Sequence, residues 1–142
     1  MDAQPHAPTT IRQVVPFFAV SDMAQSVQFY VDGLGFQMTS QWMKDGKLRW
    51  CWLERGGAAL MMQEFPTEGH DSRVFSGKRG EGVSLCFICG DAVAYYGEIS
   101  VRGIQATKPR VENRMHAIHL TDPDGYRLTF ESPTDEPESD EK

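Results

Sequence analysis

Apolar and polar residues alternate in two separate stretches of the chain, and a turn signal interrupts each stretch. In residues 115–131 apolar positions recur at every second residue on both sides of Asp122-Pro123-Asp124-Gly125. Residues 49–62 have a similar strand pattern, which Gly56-Gly57 interrupts. Alternation around turn residues of this kind predicts one β-hairpin in each stretch.

One amphipathic helix is predicted ahead of each hairpin. Asp22 and Asp91 are suitable N-cap residues, and apolar residues follow each of them at helical spacing. Gly35 and Gly103 end the two predicted helices. Further strands complete a β-α-β-β-β pattern in each half, and they are predicted at residues 11–20 and 36–42 in the first half and at 83–89 and 104–106 in the second.

The two halves are repeats of one unit. Leu60 aligns with Leu128 at an offset of 68 residues, and Asp22 aligns with Asp91 at an offset of 69. A unit with one helix and one sheet cannot bury both faces of its sheet, so two units should share an interface beside a cleft. We therefore predict an α+β fold of two βαβββ modules. The predicted boundaries are module one at 11–65, a linker loop at 66–82 and module two at 83–131, within one domain at 11–132 and with disordered ends at 1–10 and 133–142.

The repeat also predicts which side chains line the cleft, because the more apolar face of each sheet should pack beneath its helix. The residues predicted for that apolar face are Ile118, Leu120, Leu128 and Phe130 in the second hairpin, and Trp50, Trp52, Leu60 and Met62 in the first. Trp50 and Trp52 are therefore interpreted as core or dimer interface and not as ligand contacts. The residues that alternate with these along each strand are predicted to face the cleft.

Composition narrows the range of partners. The formal net charge of −6 argues against nucleic acid and favours a cationic ligand. No apolar run is long enough to span a membrane and no signal peptide follows Met1, so we expect a cytoplasmic protein that does not bind membranes. The Cys86-x-x-Cys89 pair falls in a predicted strand, whose alternation sends the two sulfurs to opposite faces. A redox or zinc role is therefore not expected of this pair.

A series of short motifs runs through the chain in a fixed order: Val20-Ser21-Asp22-Met23, Phe29-Tyr30, Leu34-Gly35-Phe36, Arg102-Gly103-Ile104 and Asp122-Pro123-Asp124-Gly125-Tyr126. In this order and spacing the chain resembles the vicinal oxygen chelate (VOC) superfamily, which includes glyoxalase I, fosfomycin resistance proteins, extradiol dioxygenases and bleomycin resistance proteins. The resemblance covers about residues 11–132. It implies that the paired modules form an incomplete barrel around the site, and it often implies a homodimer.

The metal enzymes of this superfamily take their ligands, typically His or Gln and Glu, from four equivalent strand positions. The resemblance places these positions at Val15, Met61, Ser84 and Thr129. None of the four is a histidine or a carboxylate, so no metal and no other cofactor is expected. A shift of register that brought in Glu64 and His119 would change this expectation.

The function that we expect is that of a metal-free, dimeric small-molecule binding protein, most like the bleomycin-resistance branch, that sequesters an antibiotic or metabolite. The alternative is a metal-dependent lyase, isomerase or dioxygenase of the same superfamily, and a third possibility is a partner protein without a ligand. No catalytic residue is assigned. His119 is interpreted either as a hydrogen-bonding or general-base group, or as a half-exposed strand residue without a role. The candidate ligand-binding residues are Phe17, Arg49, Met61, Gln63, Phe65, Ser84, His119 and Thr129.

Overall fold

The computed structural model describes residues 10–66, 68–69, 72 and 77–140. Its strands and helices follow the predicted order twice, which confirms the α+β fold of two βαβββ modules. Module one contains β1 (Phe17–Ala19), α1 (Met23–Val27), a π-helical turn (Gln28–Gly33), β2 (Gln37–Lys44), β3 (Lys47–Arg55) and β4 (Ala58–Gln63). Module two contains β5 (Ser84–Ile88), α2 (Ala92–Val101), β6 (Arg110–Glu112), β7 (Met115–Thr121) and β8 (Arg127–Pro133).

The strands of the described residues form two four-stranded sheets with the same topology. Sheet one has the order β1-β4-β3-β2, and sheet two has the order β5-β8-β7-β6. The first strand of each module runs parallel to the last, and the other neighbours are antiparallel. Leu60 lies opposite Leu53 in sheet one, and Leu128 lies opposite Leu120 in sheet two. The two leucines therefore occupy equivalent strand positions, as the repeat predicted.

Each helix begins at the predicted aspartate. The Asp22 carboxylate accepts a hydrogen bond from the Gln25 N–H at 3.1 Å, and Asp91 accepts one from the Ala94 N–H at 3.0 Å. These bonds satisfy amide groups that have no partner within the helix. No helix within the described ranges is long and apolar enough to cross a membrane.

The buried faces of both sheets join in one core. Leu53, Leu60 and Met62 from sheet one belong to the same buried cluster as Ile118 and Leu128 from sheet two. The helical segments complete this core. Their buried contributions are Met23, Tyr30 and Leu34 from module one and Tyr95 and Ile99 from module two. The shared core is the interface that each module needs, since neither could cover its apolar sheet face alone.

The Asp-Pro-Asp-Gly turn of module two is bound to module one. The Tyr30 hydroxyl donates to Asp122 Oδ2 at 2.7 Å, and Asp122 Oδ1 accepts from the backbone N–H groups of Asp124 and Tyr126, both at 2.9 Å. Asp124 accepts from the Ser21 N–H and pairs with Arg79 at 2.7 Å. The turn therefore joins the modules through charged and polar groups as well as closing a hairpin.

The structure corrects the predicted orientation of β3. Cys51 lies opposite Met62 and Leu53 opposite Leu60, and all four side chains are fully buried. The prediction that Trp50 and Trp52 lie beneath the helix is therefore wrong. The reason is the turn, because Leu53 and Leu60 are seven residues apart (60 − 53) whereas Leu120 and Leu128 are eight apart (128 − 120). One missing residue moves every β3 side chain to the other face.

The tail also differs from the prediction of disorder over residues 133–140. Ser139 exchanges two hydrogen bonds with Val111, one from its backbone N–H at 3.0 Å and one to its hydroxyl at 2.8 Å. The Glu138 carboxylate accepts the N–H groups of Asn113 and Arg114, both at 2.9 Å. The β6–β7 turn therefore holds the tail. Residues 1–9 and 141–142 and part of the predicted linker lie outside the described residues.

Candidate functional site

The face of sheet one that points away from the core is mainly aromatic. We call it the aromatic face, and it comprises Phe17, Trp42, Trp50, Trp52, Met61, Gln63 and Phe65. Residues opposite each other in neighbouring strands share a face, and the pairs here are Phe17 with Met61, Met61 with Trp52 and Gln63 with Trp50. Trp42 lies opposite Trp50 on the next strand. The four strands thus contribute to one continuous surface.

Two side-chain contacts hold part of the aromatic face in place. The rings of Phe17 and Phe65 stack with centroids 6.3 Å apart. The Trp52 indole N–H donates to the Glu54 carboxylate at 2.7 Å, which fixes the orientation of that ring. Phe17 is 50% exposed and Trp42 is 47% exposed. Large rings held by neighbours yet open to solvent can stack on a flat ligand without much loss of side-chain entropy.

The sequence prediction placed Trp50 and Trp52 on the opposite face and assigned no face to Trp42. The orientation of β7 does not apply to β3, because the turn that follows β3 is one residue shorter. The signal was present in the sequence, since Cys51 and Leu53 form an alternating apolar set of their own beside Trp50 and Trp52. Because both faces of β3 carry apolar residues, only the length of the turn could decide which of the two sets faces the core.

The corresponding face of sheet two is mainly polar. We call it the polar face, and it comprises Ser84, Cys86, His119, Arg127, Thr129 and Glu131. Apolar Ala117 and Ile88 lie on the same side, opposite Glu131. Ser84 pairs with Arg127, Cys86 with Thr129, and His119 lies opposite Thr129. A groove of about 890 Å³ borders this face and is lined by Ser84, His119, Arg127 and Thr129 together with residues 103–107. Three predicted site residues thus share one groove.

His119 is held between a carboxylate and a hydroxyl. Its Nε2 lies 2.9 Å from Glu112 Oε1, and its Nδ1 lies 2.9 Å from Thr129 Oγ1. An ionised carboxylate can only accept, so in the neutral imidazole Nε2 carries the proton and Nδ1 accepts the hydroxyl proton of Thr129. The arrangement can take a proton from a hydroxyl or hold a ligand by hydrogen bonds.

Arg49 lies apart from the other candidates. Because β3 is turned over, Arg49 shares the helix side with Cys51, where it pairs with Glu64 at 3.5 Å. Glu64 in turn accepts the Met23 N–H at the start of α1 at 3.2 Å. The prediction that Arg49 faces the cleft is therefore corrected. The remaining candidates form two groups, namely Phe17, Met61, Gln63 and Phe65 on sheet one and Ser84, His119 and Thr129 on sheet two.

The residues at the superfamily's ligand positions do not fit a metal ion. Val15 has no donor atom, Met61 offers a thioether, and Ser84 and Thr129 offer hydroxyls, of which the Thr129 oxygen is bonded to His119. Zinc, nickel, manganese and iron sites require histidine, carboxylate or thiolate donors. Within the described part of the chain, no group of three or more such donors lies close enough together to hold a metal.

The cysteines lie as the alternation predicted. Cys86 is exposed on the polar face, and Cys89 packs against the core. Burial, followed by the Glu131 carboxylate, raises the pKa of the Cys86 thiol to about 11. Burial likewise raises the pKa of Cys51 to about 11. Thiols with such pKa values remain protonated at neutral pH, so they are weak nucleophiles and poor metal ligands.

Comparison with known proteins agrees with this fold. The chain is 22% identical to TnmS3, described as an antibiotic binding protein from Streptomyces sp. CB03234, with a TM-score of 0.65 over 89% of this chain and 100% of that one. It is 16% identical to TioX from Micromonospora sp. ML1, with a TM-score of 0.69 over 86% of this chain and 98% of that one. A putative glyoxalase family protein from Bacillus anthracis is 14% identical, with a TM-score of 0.64 over 89% of this chain and 100% of that one.

At these identities the similarity to solved structures establishes the fold alone, and no curated protein matches the chain. The sequence model of one family matches residues 10–130, which is most of the chain. The chain belongs to the Glyoxalase/Bleomycin resistance protein/Dioxygenase superfamily.

Proposed function

We propose that this protein binds a small organic molecule with a flat aromatic part on the aromatic face, and that it releases the molecule unchanged. One observation carries the proposal, which is the presence of Trp42, Trp50 and Trp52 in adjacent positions on a partly exposed sheet face. Aromatic rings of this size normally lie in cores or interfaces. A surface that keeps three of them together is suited to stacking on a ligand.

The charge of the protein favours a cationic ligand ring. The formal net charge is −6, and Glu54 is hydrogen-bonded to the Trp52 indole at the aromatic face. A cation held over a tryptophan ring is attracted by roughly 0.5–2 kcal/mol, depending on its desolvation. Stacking, cation–π attraction and the nearby carboxylate would then select a flat, positively charged molecule.

We further propose that the polar face orients the ligand. Ser84, His119 and Thr129 offer hydroxyl and imidazole groups in one groove, and Gln63 offers an amide on the aromatic face. We propose that this binding needs no metal, since the donors at the superfamily's ligand positions do not fit one. A homodimer in the cytoplasm remains the assembly and location that we expect. The similarity to TnmS3, described as an antibiotic binding protein, supports an antibiotic as the ligand class.

Tryptophan fluorescence tests the proposal directly, because ligand stacking should quench the indoles. We expect saturable quenching by cationic heteroaromatic antibiotics and recovery of the unchanged compound by mass spectrometry. Trp52→Ala should weaken binding at least tenfold, whereas Tyr96→Ala, which removes an aromatic side chain on α2, should bind as the wild type does. Equal affinity of the Trp52→Ala and wild-type proteins would contradict the proposal.

A second function, proton transfer, is favoured by the bonding of His119 between Glu112 and Thr129. With Nε2–H held by Glu112, the His119 Nδ1 could remove an acidic C–H proton from a bound carbonyl compound that displaces the Thr129 hydroxyl, and it could return a solvent proton to that carbon. In D₂O this would place deuterium in the recovered ligand. Incorporation that is lost in His119→Gln would support catalysis, whereas recovery without deuterium supports binding alone.

A further inference from the structure

The free edge of β1 is closed by a tyrosine from module two. Tyr126 stacks on Phe18 with ring centroids 4.1 Å apart and an interplanar angle of 8°. Its hydroxyl donates to the backbone oxygen of Ala19 at 3.0 Å. One side chain thus supplies a stacked ring and a hydrogen bond to the edge of β1, beside which the described residues place no other strand.

The repeat lacks this tyrosine at the equivalent place beside β5. Phe18 and Ala19 correspond to Phe87 and Ile88 at an offset of 69, since 87 − 18 and 88 − 19 both equal 69. Tyr126 corresponds to Ala58 at an offset of 68, since 126 − 58 equals 68. Ala58 follows the Gly56-Gly57 turn in the way that Tyr126 follows the longer turn. A methyl group therefore stands where the other half of the protein has a phenol ring.

An open groove of about 920 Å³ lies at this place. Its lining includes Val14 and Pro16 ahead of β1, Ala58 and Ala59 on β4, and Phe87 on β5. Arg55 and Glu98, paired at 2.9 Å, lie at its polar side. The groove is mainly apolar with one charged border, which is the composition of a small-molecule site.

Phe87 and the β5 edge reproduce the surface that Tyr126 covers on β1. Phe130 stacks on one ring face of Phe87 at 4.5 Å with an angle of 13°, and Phe36 of module one meets Phe87 in a T-shaped contact at 6.1 Å. Phe87 also lines the groove, as Phe36 does. The Cys89 N–H donates a hydrogen bond to the backbone oxygen of Glu131 in β8. Successive residues of a parallel strand point their backbone groups to opposite sides, so the Ile88 carbonyl points away from β8, as the Ala19 carbonyl points away from β4.

We propose that this groove is a second ligand site, which takes an aryl ring bearing a hydroxyl group. The ring stacks on Phe87 as Tyr126 stacks on Phe18, and its hydroxyl donates to the Ile88 carbonyl as Tyr126 donates to Ala19. A volume of about 920 Å³ is much larger than one ring, so the phenol is the anchoring part of a larger molecule. The site lies on the core side of β5 and does not depend on the aromatic face.

The probe for this site is p-cresol, which has the shape of a tyrosine side chain. We expect saturable changes in the amide NMR signals of Phe87 and Ile88 upon titration, with weaker binding of toluene because it lacks the hydroxyl. Ala58→Tyr should abolish these changes and raise the midpoint of thermal unfolding without a probe, because the new ring fills the groove. Ala24→Tyr, which adds the same side chain to an exposed position of α1, should bind p-cresol as the wild type does.

Ala58→Leu gives a second test in case the tyrosine variant does not fold. The leucine side chain fills the groove in part, so the affinity for p-cresol should fall several-fold. Unchanged binding in a folded Ala58 variant would overturn the proposal. Signal changes that cluster at Trp50 and Trp52 would also overturn it, because they would place the probe on the aromatic face. Binding that weakens as protein concentration rises would show that a second copy occupies the groove, and this too would contradict the proposal.

Discussion

The hydroxyl of Tyr30 lies 2.7 Å from Asp122 Oδ2, and this buried bond joins the helical segment of module one to the turn of module two. The two groups are 92 residues apart in sequence. Tyr30 is fully buried, and Asp122 is 5% exposed. A buried carboxylate needs hydrogen-bond donors for its oxygens, and here the tyrosine hydroxyl and two turn amides supply them.

Tyr30→Phe should therefore destabilise the protein by about 1–3 kcal/mol, because it removes one donor from a buried carboxylate. Chemical denaturation measures the change as a lower midpoint at unchanged slope. Tyr96→Phe on α2 is the matched control, since Tyr96 is half-buried and lies away from this turn, and it should change stability little. A Tyr30→Phe protein as stable as the wild type would mean that water replaces the phenol at Asp122.

The same carboxyl group should make stability depend on pH. Burial, the largest cause, raises the pKa of Asp122 above its usual value of 3.8, although the Tyr30 hydroxyl lowers it. Between the unfolded and the raised folded pKa, the folded protein binds more protons than the unfolded chain. The contribution of Asp122 to stability therefore falls as pH rises through this window, and it is constant above the folded pKa.

Unfolding free energies of the wild type and of Asp122→Asn, measured across acidic pH, test this dependence. The asparagine does not titrate, so the difference between the two proteins isolates the carboxyl group. The advantage of the wild type over the variant should shrink as pH rises through the window and then level off. A difference that grows with pH would show that the pKa of Asp122 is lowered by folding and not raised.

The orientation of β3 predicts different effects for substitutions at the neighbouring residues Trp52 and Leu53. Leu53 is fully buried opposite Leu60, so Leu53→Ala should cost about 2–5 kcal/mol of stability. Trp52 lies on the aromatic face, so Trp52→Ala should cost less stability and reduce ligand binding instead. Thermal unfolding and fluorescence titration of both variants measure the two effects. If Trp52→Ala cost more stability than Leu53→Ala and Leu53→Ala reduced ligand binding, the assignment of the two faces of β3 would be wrong.

Much of the fold could be predicted because local signals and the repeat agree. Asp22 and Asp91 mark the helix starts by a mechanism that acts within a few residues. The positions of Leu60 and Leu128 follow from alternation within a single strand. The orientation of β3 does not, because it depends on the number of residues in a turn, and a difference of one residue reverses it.

The tail illustrates a second limit of sequence reasoning. Its acidic composition predicts disorder, since it offers little apolar surface to bury. The composition gives no sign that the β6–β7 turn presents two amides to it. Asn113 and Arg114 both have positive φ, at 51° and 64°, and their N–H groups converge on Glu138. Such a pair of amides forms an anion-binding concavity, which only the three-dimensional arrangement reveals.

Glu138 should therefore hold the tail through its charge. The two turn amides lower the pKa of Glu138 from its usual value of 4.5. Its contribution should be present at neutral pH and should be lost as pH falls through the lowered pKa. In Glu138→Gln we expect faster hydrogen exchange at the Asn113 and Arg114 amides, measured by NMR, with Glu68→Gln as the control. Unchanged exchange at both amides would show that the other contacts of the tail, such as those of Thr134 and Ser139, hold it without the charge of Glu138.

Met61 offers the sharpest test of ligand binding on the aromatic face. It lies between Phe17 on β1 and Trp52 on β3, so its side chain is at the centre of this surface. Met61→Arg would place a long cation among the rings and repel a cationic ligand, while the half-exposed position should tolerate it. We expect loss of ligand-induced quenching with a cooperative unfolding transition that remains. Met61→Leu keeps the apolar surface and should retain binding within a few-fold. Full binding by the arginine variant would place the ligand elsewhere on the protein.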